Sequence, residues 1–280
     1  MTAWSAPPRD EKATMKEPIL GGQALLDEIE STGGESPALW WLGQSGFVMK
    51  HQGIVFYVDP CLATPPGRSR TLSAPLAPAQ VVNADLILCT HAHPTHMEPV
   101  TLPAMLEASP QARVVLPKSA AEHARSLGIS YGRMTTTDSD LRVEYFKLGL
   151  YGRVYSAPSA HPELDWTPLG GYPHLGYLIR FGPWTLYHAG DCRWYEGIVG
   201  RLRPYNVTAA LLPIDGGNNF DIAQAGRLAE EIRAKWLIPM HYGTFADQQT
   251  DVNRFVDHML GHRPSVGFKV FEPGQRWLVP

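Results

Sequence analysis

The stretch ADLILCTHAHPTH, residues 84–96, joins a continuous apolar run to three histidines that fall within six residues. The run 84–90 is typical of a strand that is buried on both faces. Alternate side chains of an extended segment share a face, so His91 and His93 can point at one atom. His96 comes after the chain has turned and can approach that atom from another side. Neutral imidazole is the commonest ligand for borderline divalent metals, so this stretch predicts a metal site at a strand end.

Three later residues repeat this placement at the end of a predicted strand. His161 follows the segment YSAPSA, Asp191 lies in LYHAGDC, and His241 lies in WLIPMHYGTF. Loops at one edge of a sheet carry sites on a rigid support, so residues at strand ends can converge on one point. Taken singly, loop histidines and turn aspartates are common without a metal. The joint pattern favours a metal site, whereas the spacing of the first three histidines alone leaves a solvated histidine-rich loop open.

The composition limits the class of protein. The chain has 280 residues, of which 44% are hydrophobic and 18% are charged. The charged fraction is below the roughly 25% of an average soluble protein. These values exclude a disordered, acidic or coiled-coil protein. The net charge is −3, which provides no basic excess for the phosphate backbone and excludes general nucleic-acid binding.

The cysteines and the apolar segments indicate the cellular compartment in which we expect the protein. Cys61, Cys89 and Cys192 form no C-x-x-C pair, so we expect neither a disulfide framework nor a cysteine zinc cluster. A reducing, cytoplasmic environment is the natural interpretation. The first twenty residues show no signal peptide, and the apolar stretches are too short to cross a bilayer. We therefore expect no membrane partner.

The order of predicted elements indicates one α/β domain over residues 19–280, preceded by a flexible tail over 1–18. Asp221 with Gln224 opens one predicted helix, and Ser119 with Glu122 forms an S-x-x-E capping box that opens another. The predicted strands lie at 38–42, 47–50, 54–58, 84–90, 113–117, 142–148, 151–158, 175–181, 184–189, 210–214 and 236–240. The predicted helices lie near 19–31, 102–109, 119–128, 221–232 and 248–260.

The pattern H-x-H-x-x-H, then His, then Asp, then His, resembles that of the metallo-β-lactamase fold superfamily. Within it, the chain looks like the L-ascorbate 6-phosphate lactonase (UlaG-like) branch. The stretches that carry the resemblance are WWLGQSGFVMK (40–50), YVDP (57–60), ILCTHAHPTH (87–96), LYHAGDC (186–192) and IPMHYG (238–243). The resemblance implies a four-layer αβ/βα sandwich, in which two mixed β-sheets pack face to face with helices outside and metals at one edge.

The resemblance also implies roles for individual residues. His91, His93 and His161 would hold a metal at a first position, and His96 and His241 would help to hold one at a second position. Asp191 would bridge the two positions and would be a catalytic residue together with the residue at position 95. Asp59 would steady the histidine loop, although a turn aspartate before Pro60 is an equally good interpretation.

Position 95 departs from the family pattern H-x-H-x-D-H, because Thr95 replaces the aspartate. A threonine hydroxyl is neutral and a weak ligand. Two divalent ions carry four positive charges, whereas Asp191 and one hydroxide together supply only two negative charges. This charge imbalance is unfavourable in a pocket of low dielectric constant. The sequence therefore leaves open a single tightly held ion, a weak second ion, or an inactive variant.

Four further residues are candidate substrate contacts. Tyr172 and His174 lie in WTPLGGYPHLGY (166–177), between two ligand segments, and Asn218 and Tyr242 follow predicted strands. A hairpin packed on the core is the alternative for the first two. Asp215, in LLPIDGGNNF, lines the pocket mouth or simply forms the turn.

The resemblance implies a metal-dependent hydrolase, lactonase-like, in which a metal-bound hydroxide attacks an ester or lactone of a small-molecule substrate. The alternatives are a phosphodiesterase of the same fold and a catalytically silent metal-binding homologue, which Thr95 suggests. The expected cofactor is Mn2+ or Zn2+, one or two ions per chain, because imidazole and carboxylate ligands do not choose between them. A homo-oligomer is compatible with the sequence.

Overall fold

Two seven-stranded sheets form the centre of the molecule, which a computed structural model describes for residues 15–248, 250–262 and 265–280. The strands are β1 Ala38–Gly43, β2 Gly46–His51, β3 Ile54–Val58, β4 Leu86–Leu88, β5 Arg113–Pro117, β6 Met134–Thr137, β7 Arg142–Lys147, β8 Leu150–Pro158, β9 Leu175–Phe181, β10 Trp184–His188, β11 Ala209–Pro213, β12 Trp236–Met240, β13 Gly267–Phe268 and β14 Arg276–Leu278. The helices are α1 Gly22–Ser31, α2 Thr101–Ala108, α3 Ala121–Ser126, α4 Ile198–Leu202, α5 Ile222–Glu231 and α6 Val252–His262.

Both sheets are mixed, as the family resemblance implied. The first has the strand order β14-β1-β2-β3-β4-β5-β6 and is antiparallel from β14 to β3 and parallel from β3 to β6. The second has the order β13-β12-β11-β10-β9-β8-β7 and is parallel from β13 to β10 and antiparallel from β10 to β7. Parallel neighbours need crossover connections, and α2, α3, α4 and α5 lie within those connections.

The layers explain why the strands are apolar on both faces. Trp40 and Tyr57 of the first sheet pack with α1, α2 and α3 in one hydrophobic cluster. Trp41 and Phe56, which point the other way, pack against the second sheet in a larger cluster that also includes α5 and α6. Each sheet is therefore covered by helices outside and by its partner inside, which confirms the four-layer sandwich. A strand covered on both faces needs no alternation of polar residues.

Several predicted boundaries shift for local reasons. β4 is shorter than the strand predicted over 84–90. The backbone N–H of Thr90 donates to the Asp59 carboxylate, so it does not continue the hydrogen bonding between strands. Asp221 and Gln224 open α5 as predicted and form a capping box there, whereas the capping box predicted at Ser119 and Glu122 is wrong, because α3 begins after Ala120 without a side-chain cap. Three short edge strands, β6, β13 and β14, lacked a predictive pattern. Of the predicted flexible tail, residues 1–14 lie outside the described residues, whereas Lys16 forms a β-bridge with Leu72.

The three cysteines are free and buried, so the chain contains no disulfide, as expected. Among the helices that the structure describes, none combines the length and the apolar character needed to cross a bilayer.

Candidate metal centre

One edge of the sandwich gathers the ends of strands from both sheets. β8 and β10 both pair antiparallel with β9, so they point the same way as each other and as β11 and β12, which continue the sheet in parallel. Residues that follow these strands therefore emerge together, beside those that follow β3 and β4. The side chains placed there by strand ends are those of Asp59, His91, His161, Asp191, Asp215 and His241.

The Asp191 carboxylate lies at the middle of this edge and faces two groups of imidazoles. Its Oδ1 is 3.1 Å from Nε2 of His96 and 3.1 Å from Nε2 of His241. Its Oδ2 is 3.7 Å from Nε2 of His91 and 3.6 Å from Nε2 of His161. The two oxygens of one carboxylate are thus directed at separate sets of nitrogens. This is the arrangement that a ligand shared between two neighbouring cations requires.

His93 completes the six residues predicted as ligands. Its Nδ1 is 3.0 Å from Nε2 of His91. Ligand atoms lie within 4.8 Å of one another in the group His93, His161 and Asp191, and in the group His91, His96 and Asp191. The structure therefore brings all six side chains together, although the first and the last are 150 residues apart.

Three buried atoms of this cluster make no hydrogen bond with any part of the chain that the structure describes. They are Nε2 of His96, Nε2 of His241 and Oδ1 of Asp191. A buried polar atom without a partner costs about 1–3 kcal/mol. Imidazole nitrogen and carboxylate oxygen are both ligands of zinc, and one divalent cation would satisfy all three atoms. The residues present therefore fit a metal ion.

Asp59 and Thr90 hold the histidine loop from behind. Asp59 Oδ2 accepts from Nδ1 of His96 at 2.7 Å and from the hydroxyl of Thr90 at 2.7 Å. The Thr90 hydroxyl is also 3.0 Å from Nδ1 of His91. Asp59 is completely buried, so it is far more than a turn residue before a proline. Such partners fix the tautomer and the orientation of ligating histidines.

His241 is held in a similar way by Asp215. The Nδ1 of His241 is 2.7 Å from Oδ2 of Asp215, which leaves Nε2 directed at Asp191. His241 has a φ of +72°, a left-handed conformation that is rare for a residue with a side chain. Its backbone N–H donates to the carbonyl of Gln44 at 3.2 Å, which secures this turn. Residues in such conformations cluster at functional sites.

Gly190 lies in close contact with Thr90 at this edge of the sandwich. Its φ is +62°, and a Cβ added there would lie 2.8 Å from both Cβ and Oγ1 of Thr90. Only glycine lets the loop that carries Asp191 lie directly against the loop that carries His91. The contact joins the two sheets beside the cluster.

The two sets of histidines differ in their affinity for protons. Burial lowers the pKa of His91 well below its ordinary value and also lowers the pKa of His93, and the neighbouring His96 lowers both further. Burial alone would lower the pKa of His96 and His241 as well. The Asp191 carboxylate opposes it and, with Asp59 and Asp215 respectively, raises the pKa to about 9 in His96 and to about 10 in His241. Burial would raise the pKa of Asp191, but these two imidazoles hold it well below its usual range.

The remaining candidates are placed less uniformly. Thr95 is half-buried in the turn between His93 and His96, and its side chain makes no hydrogen bond with a described residue. Tyr172 is half-buried, and its backbone N–H donates to Asp138. His174 joins the cluster, and burial followed by the nearby His161 and His93 lowers its pKa to about 4.

Two further candidates do not present their side chains to the cluster. Asn218 meets His161 through its backbone carbonyl, 3.1 Å from Nδ1, whereas its side chain is exposed. Tyr242 is buried and stacks on Trp41 with ring centroids 4.9 Å apart, and its hydroxyl donates to the carbonyl of Phe271. The structure therefore does not bring the Tyr242 side chain to the cluster, because this side chain is packed against Trp41 and Phe271 instead.

Sequence reasoning missed Thr90 and left Asp215 open between a turn and a pocket role. Thr90 directly precedes His91, and Asp215 follows a buried strand as Asp191 does, so both carried the strand-end signal. Neither is a predicted metal ligand, because each contacts the back of a histidine rather than the centre of the cluster.

Comparisons with known proteins agree with this geometry. A model of the Beta-lactamase superfamily domain matches residues 38–241, from the start of β1 to the last histidine of the cluster. A UPF0173 metal-dependent hydrolase of Myxococcus xanthus is 30% identical over 87% of this chain and 84% of its own length. Another, from Hyperthermus butylicus, is 32% identical over 78% of this chain and 90% of its own.

Solved structures show the same fold at lower sequence identity. Igni18, a metallo hydrolase from Ignicoccus hospitalis, is 22% identical, with a TM-score of 0.67 over 86% of this chain and 97% of that one. An isothiocyanate hydrolase from Delia radicum gut bacteria is 16% identical, with a TM-score of 0.68 over 87% of this chain and 100% of that one. The chain thus belongs to the metallo-β-lactamase superfamily and, within it, to the UPF0173 metal-dependent hydrolase family.

Proposed function

We propose that this chain is a metal-dependent hydrolase that opens a lactone or cleaves a simple ester, as the lactonase-like resemblance implies. The observation that carries the proposal is the Asp191 carboxylate, whose two oxygens face two different sets of imidazole nitrogens. His91, His93 and His161 would hold an ion at the first position, and His96 and His241 would hold one at the second. A bound divalent ion supplies an activated water near neutral pH and polarises the carbonyl of the substrate.

The chain's own residues prepare this site. A carboxylate only accepts hydrogen bonds, so Asp59 and Asp215 each keep a hydrogen on Nδ1 of the histidine they contact. The Nε2 atom of each ring is thereby directed toward Asp191, and its lone pair becomes available to an ion once this atom has lost its proton. Because these contacts are buried or partly buried, the rings are oriented before any ion or substrate arrives.

A cleft of about 820 Å³ adjoins the second position and would admit the substrate. His241 and Asp215 lie at its inner end. Its charged lining includes the carboxylates of Asp215, Asp221, Asp247 and Asp251 and the guanidinium groups of Arg68 and Arg254. Arg68 is paired with Asp247 through contacts of 2.6 and 2.7 Å. Carboxylates outnumber cations in this lining, which favours a neutral lactone or ester over a phosphorylated sugar or a phosphodiester.

The test compares three substrate classes with the metal-free and reloaded protein. The protein is stripped with chelator, reloaded with Zn2+ or Mn2+, and assayed on simple lactones, on an aryl ester and on bis-p-nitrophenyl phosphate. We expect metal-dependent turnover of a lactone or ester that disappears in Asp191→Asn. Faster turnover of the phosphodiester would instead support the phosphodiesterase alternative. Bound metal without turnover of any of the three would support a catalytically silent homologue.

A further inference from the structure

We propose that His174 is a metal ligand and supplies a fourth imidazole to the first metal position, beside His91, His93 and His161. The inference rests on the metal site of the proposed function but not on the reaction. It replaces the prediction that His174 contacts substrate. It also makes the first position richer in nitrogen than the motif alone implies.

The four rings lie close to one another. Their six centroid separations are 4.5, 4.8, 5.3, 5.3, 5.6 and 5.8 Å. A tetrahedral zinc ion with Zn–N bonds of about 2.0–2.1 Å would place its four ring centroids roughly 5 Å apart. The observed separations are close to this value, so the His174 ring lies as near to the three motif rings as they lie to one another.

The ring nitrogens of His174 make no hydrogen bond with any residue that the structure describes. One of them lies within 4.8 Å of ligand nitrogens of both His91 and His93. Its Nδ1 atom is buried and makes no hydrogen bond with any described residue. An unsatisfied buried nitrogen is unfavourable, and a cation at the centre of the four rings would compensate it.

The backbone fixes His174 at this place. It directly precedes β9, which runs antiparallel to β8 and β10, so the start of β9 lies at the edge where those two strands end. The N–H of Leu175 donates to the carbonyl of Thr90 at 3.0 Å, next to His91. The N–H of Ser159 donates to the carbonyl of His174 at 3.0 Å, two residues before His161. His174 is thus hydrogen-bonded between the two segments that carry first-position ligands.

A fourth imidazole at the first position would favour zinc over manganese there. Imidazole suits zinc and its neighbours in the transition series, whereas manganese prefers carboxylate, carbonyl and water oxygens. Thr95 removes a carboxylate from the second position, and His174 adds a neutral nitrogen to the first. The chain would therefore hold one ion tightly at the first position and select Zn2+ over Mn2+ there.

The experiment measures metal binding with no substrate present. Zinc and manganese are titrated into the stripped protein and into His174→Ala, and the same proteins loaded with one equivalent of Co2+ or Zn2+ are compared by visible absorption and X-ray absorption spectroscopy. We expect four imidazoles around the ion in the parent and three in His174→Ala. Zinc affinity should fall at least about tenfold, as ligand-shell changes do, with a smaller change for manganese. His123→Ala, on α3 and outside the cluster, is the matched control and should bind zinc like the parent.

Three results would overturn the assignment. One is an imidazole count of three in the parent, which needs no variant and stands even if His174→Ala fails to fold. Another is zinc affinity and a cobalt spectrum unchanged in His174→Ala or His174→Gln. A third is an unchanged zinc affinity accompanied by a raised KM, which would return His174 to substrate contact. A parent that binds zinc through four imidazoles yet hydrolyses nothing would refute the proposed function alone.

Discussion

The carboxylate of Asp59 accepts a hydrogen bond from Nδ1 of His96 at 2.7 Å, and neither side chain is exposed to solvent. Asp59 follows β3 and His96 follows β4, so the bond joins two neighbouring parallel strands of one sheet. It determines which nitrogen of His96 is left for a metal. The contact therefore links the packing of the first sheet to the second metal position.

Asp59→Asn should weaken the second metal position. An amide in place of the carboxylate can donate to Nδ1 of His96, which moves the ring hydrogen to Nε2 and blocks coordination. Changes to such partners typically cost about 10–100-fold in metal affinity, and we expect this loss for the second equivalent of zinc by calorimetric titration. Asp85→Asn, at a buried carboxylate paired with Lys147, is the matched control. Equal losses in both variants would argue against a role through His96.

Gly190→Ala should destabilise the protein more than an alanine at a roomy glycine. Gly190 has a positive φ and faces Thr90 at 2.8 Å, whereas Gly149 has a positive φ with nothing within 4 Å of its added Cβ. We expect the free energy of unfolding in urea to fall by about 2–5 kcal/mol for Gly190→Ala, since backbone strain and overpacking add. Gly149→Ala should lose about 1–2 kcal/mol, from strain alone. Similar losses at both positions would mean that the contact with Thr90 is easily relieved.

Thr95→Asp should strengthen the second metal position, because it restores a charged oxygen ligand beside His96. A new opposite charge near an ion is worth several kcal/mol at partly screened distances, so we expect at least about tenfold tighter binding of the second ion. Thr95→Asn supplies an oxygen without the charge and should gain less. Metal content by elemental analysis and the rate of lactone hydrolysis are measured together.

Two results would contradict this account of Thr95. A parent that already holds two tightly bound ions per chain would refute the charge imbalance. A parent that is inactivated by Thr95→Val but not improved by Thr95→Asp would show that the hydroxyl positions water or substrate instead.

The two metal positions should release different numbers of protons. At pH 7.5 the raised pKa values of His96 and His241, about 9 and about 10, leave both rings protonated in the metal-free protein. The lowered pKa values of His91 and His93 leave those rings neutral. Ligands must lose their protons to bind, so the first equivalent of zinc should release few protons and the second about two. Calorimetry in buffers of different ionisation enthalpy counts them.

The same shifts set the direction of the pH dependence. Affinity for the second ion should rise as the pH increases from 7 through 9, because the competing protons leave. Affinity for the first ion should change little over this range. A first equivalent that releases about two protons would contradict the assignment of the tight position.

Removal of the metal should lower the melting temperature. An ion that binds only the folded chain, present at a hundredfold its Kd, adds about 2.7 kcal/mol of stability. For a chain of this size that corresponds to a shift of roughly 5–10 °C between zinc-loaded and chelated protein. Asp191→Asn should show a much smaller shift, which separates site binding from general effects of zinc. Identical melting curves with chelator and with excess zinc would argue against an occupied site.

The sequence, with the family resemblance that it carries, predicted the layers and the six candidate metal ligands. Fully apolar runs such as 54–58 and 210–214 predict strands covered on both faces, and β3 and β11 are buried along their length. His91, Asp191 and His241 each follow such a run, so their place at a strand end was readable from local pattern. Short polar strands such as β6 were not predicted, because the side-chain pattern of four residues is too short to indicate a strand.

Only the tertiary structure decided which residues surround the ligands. Thr90 meets Asp59 across paired strands, and Asp215 meets His241 across 26 residues. Tyr242, adjacent to a ligand in sequence, turns away to stack on Trp41. His174 reaches the first position because β9 runs against its two neighbours, which brings the beginning of one strand to the ends of the others. Strand direction and pairing arise from contacts between distant segments, and no local sequence pattern encodes them.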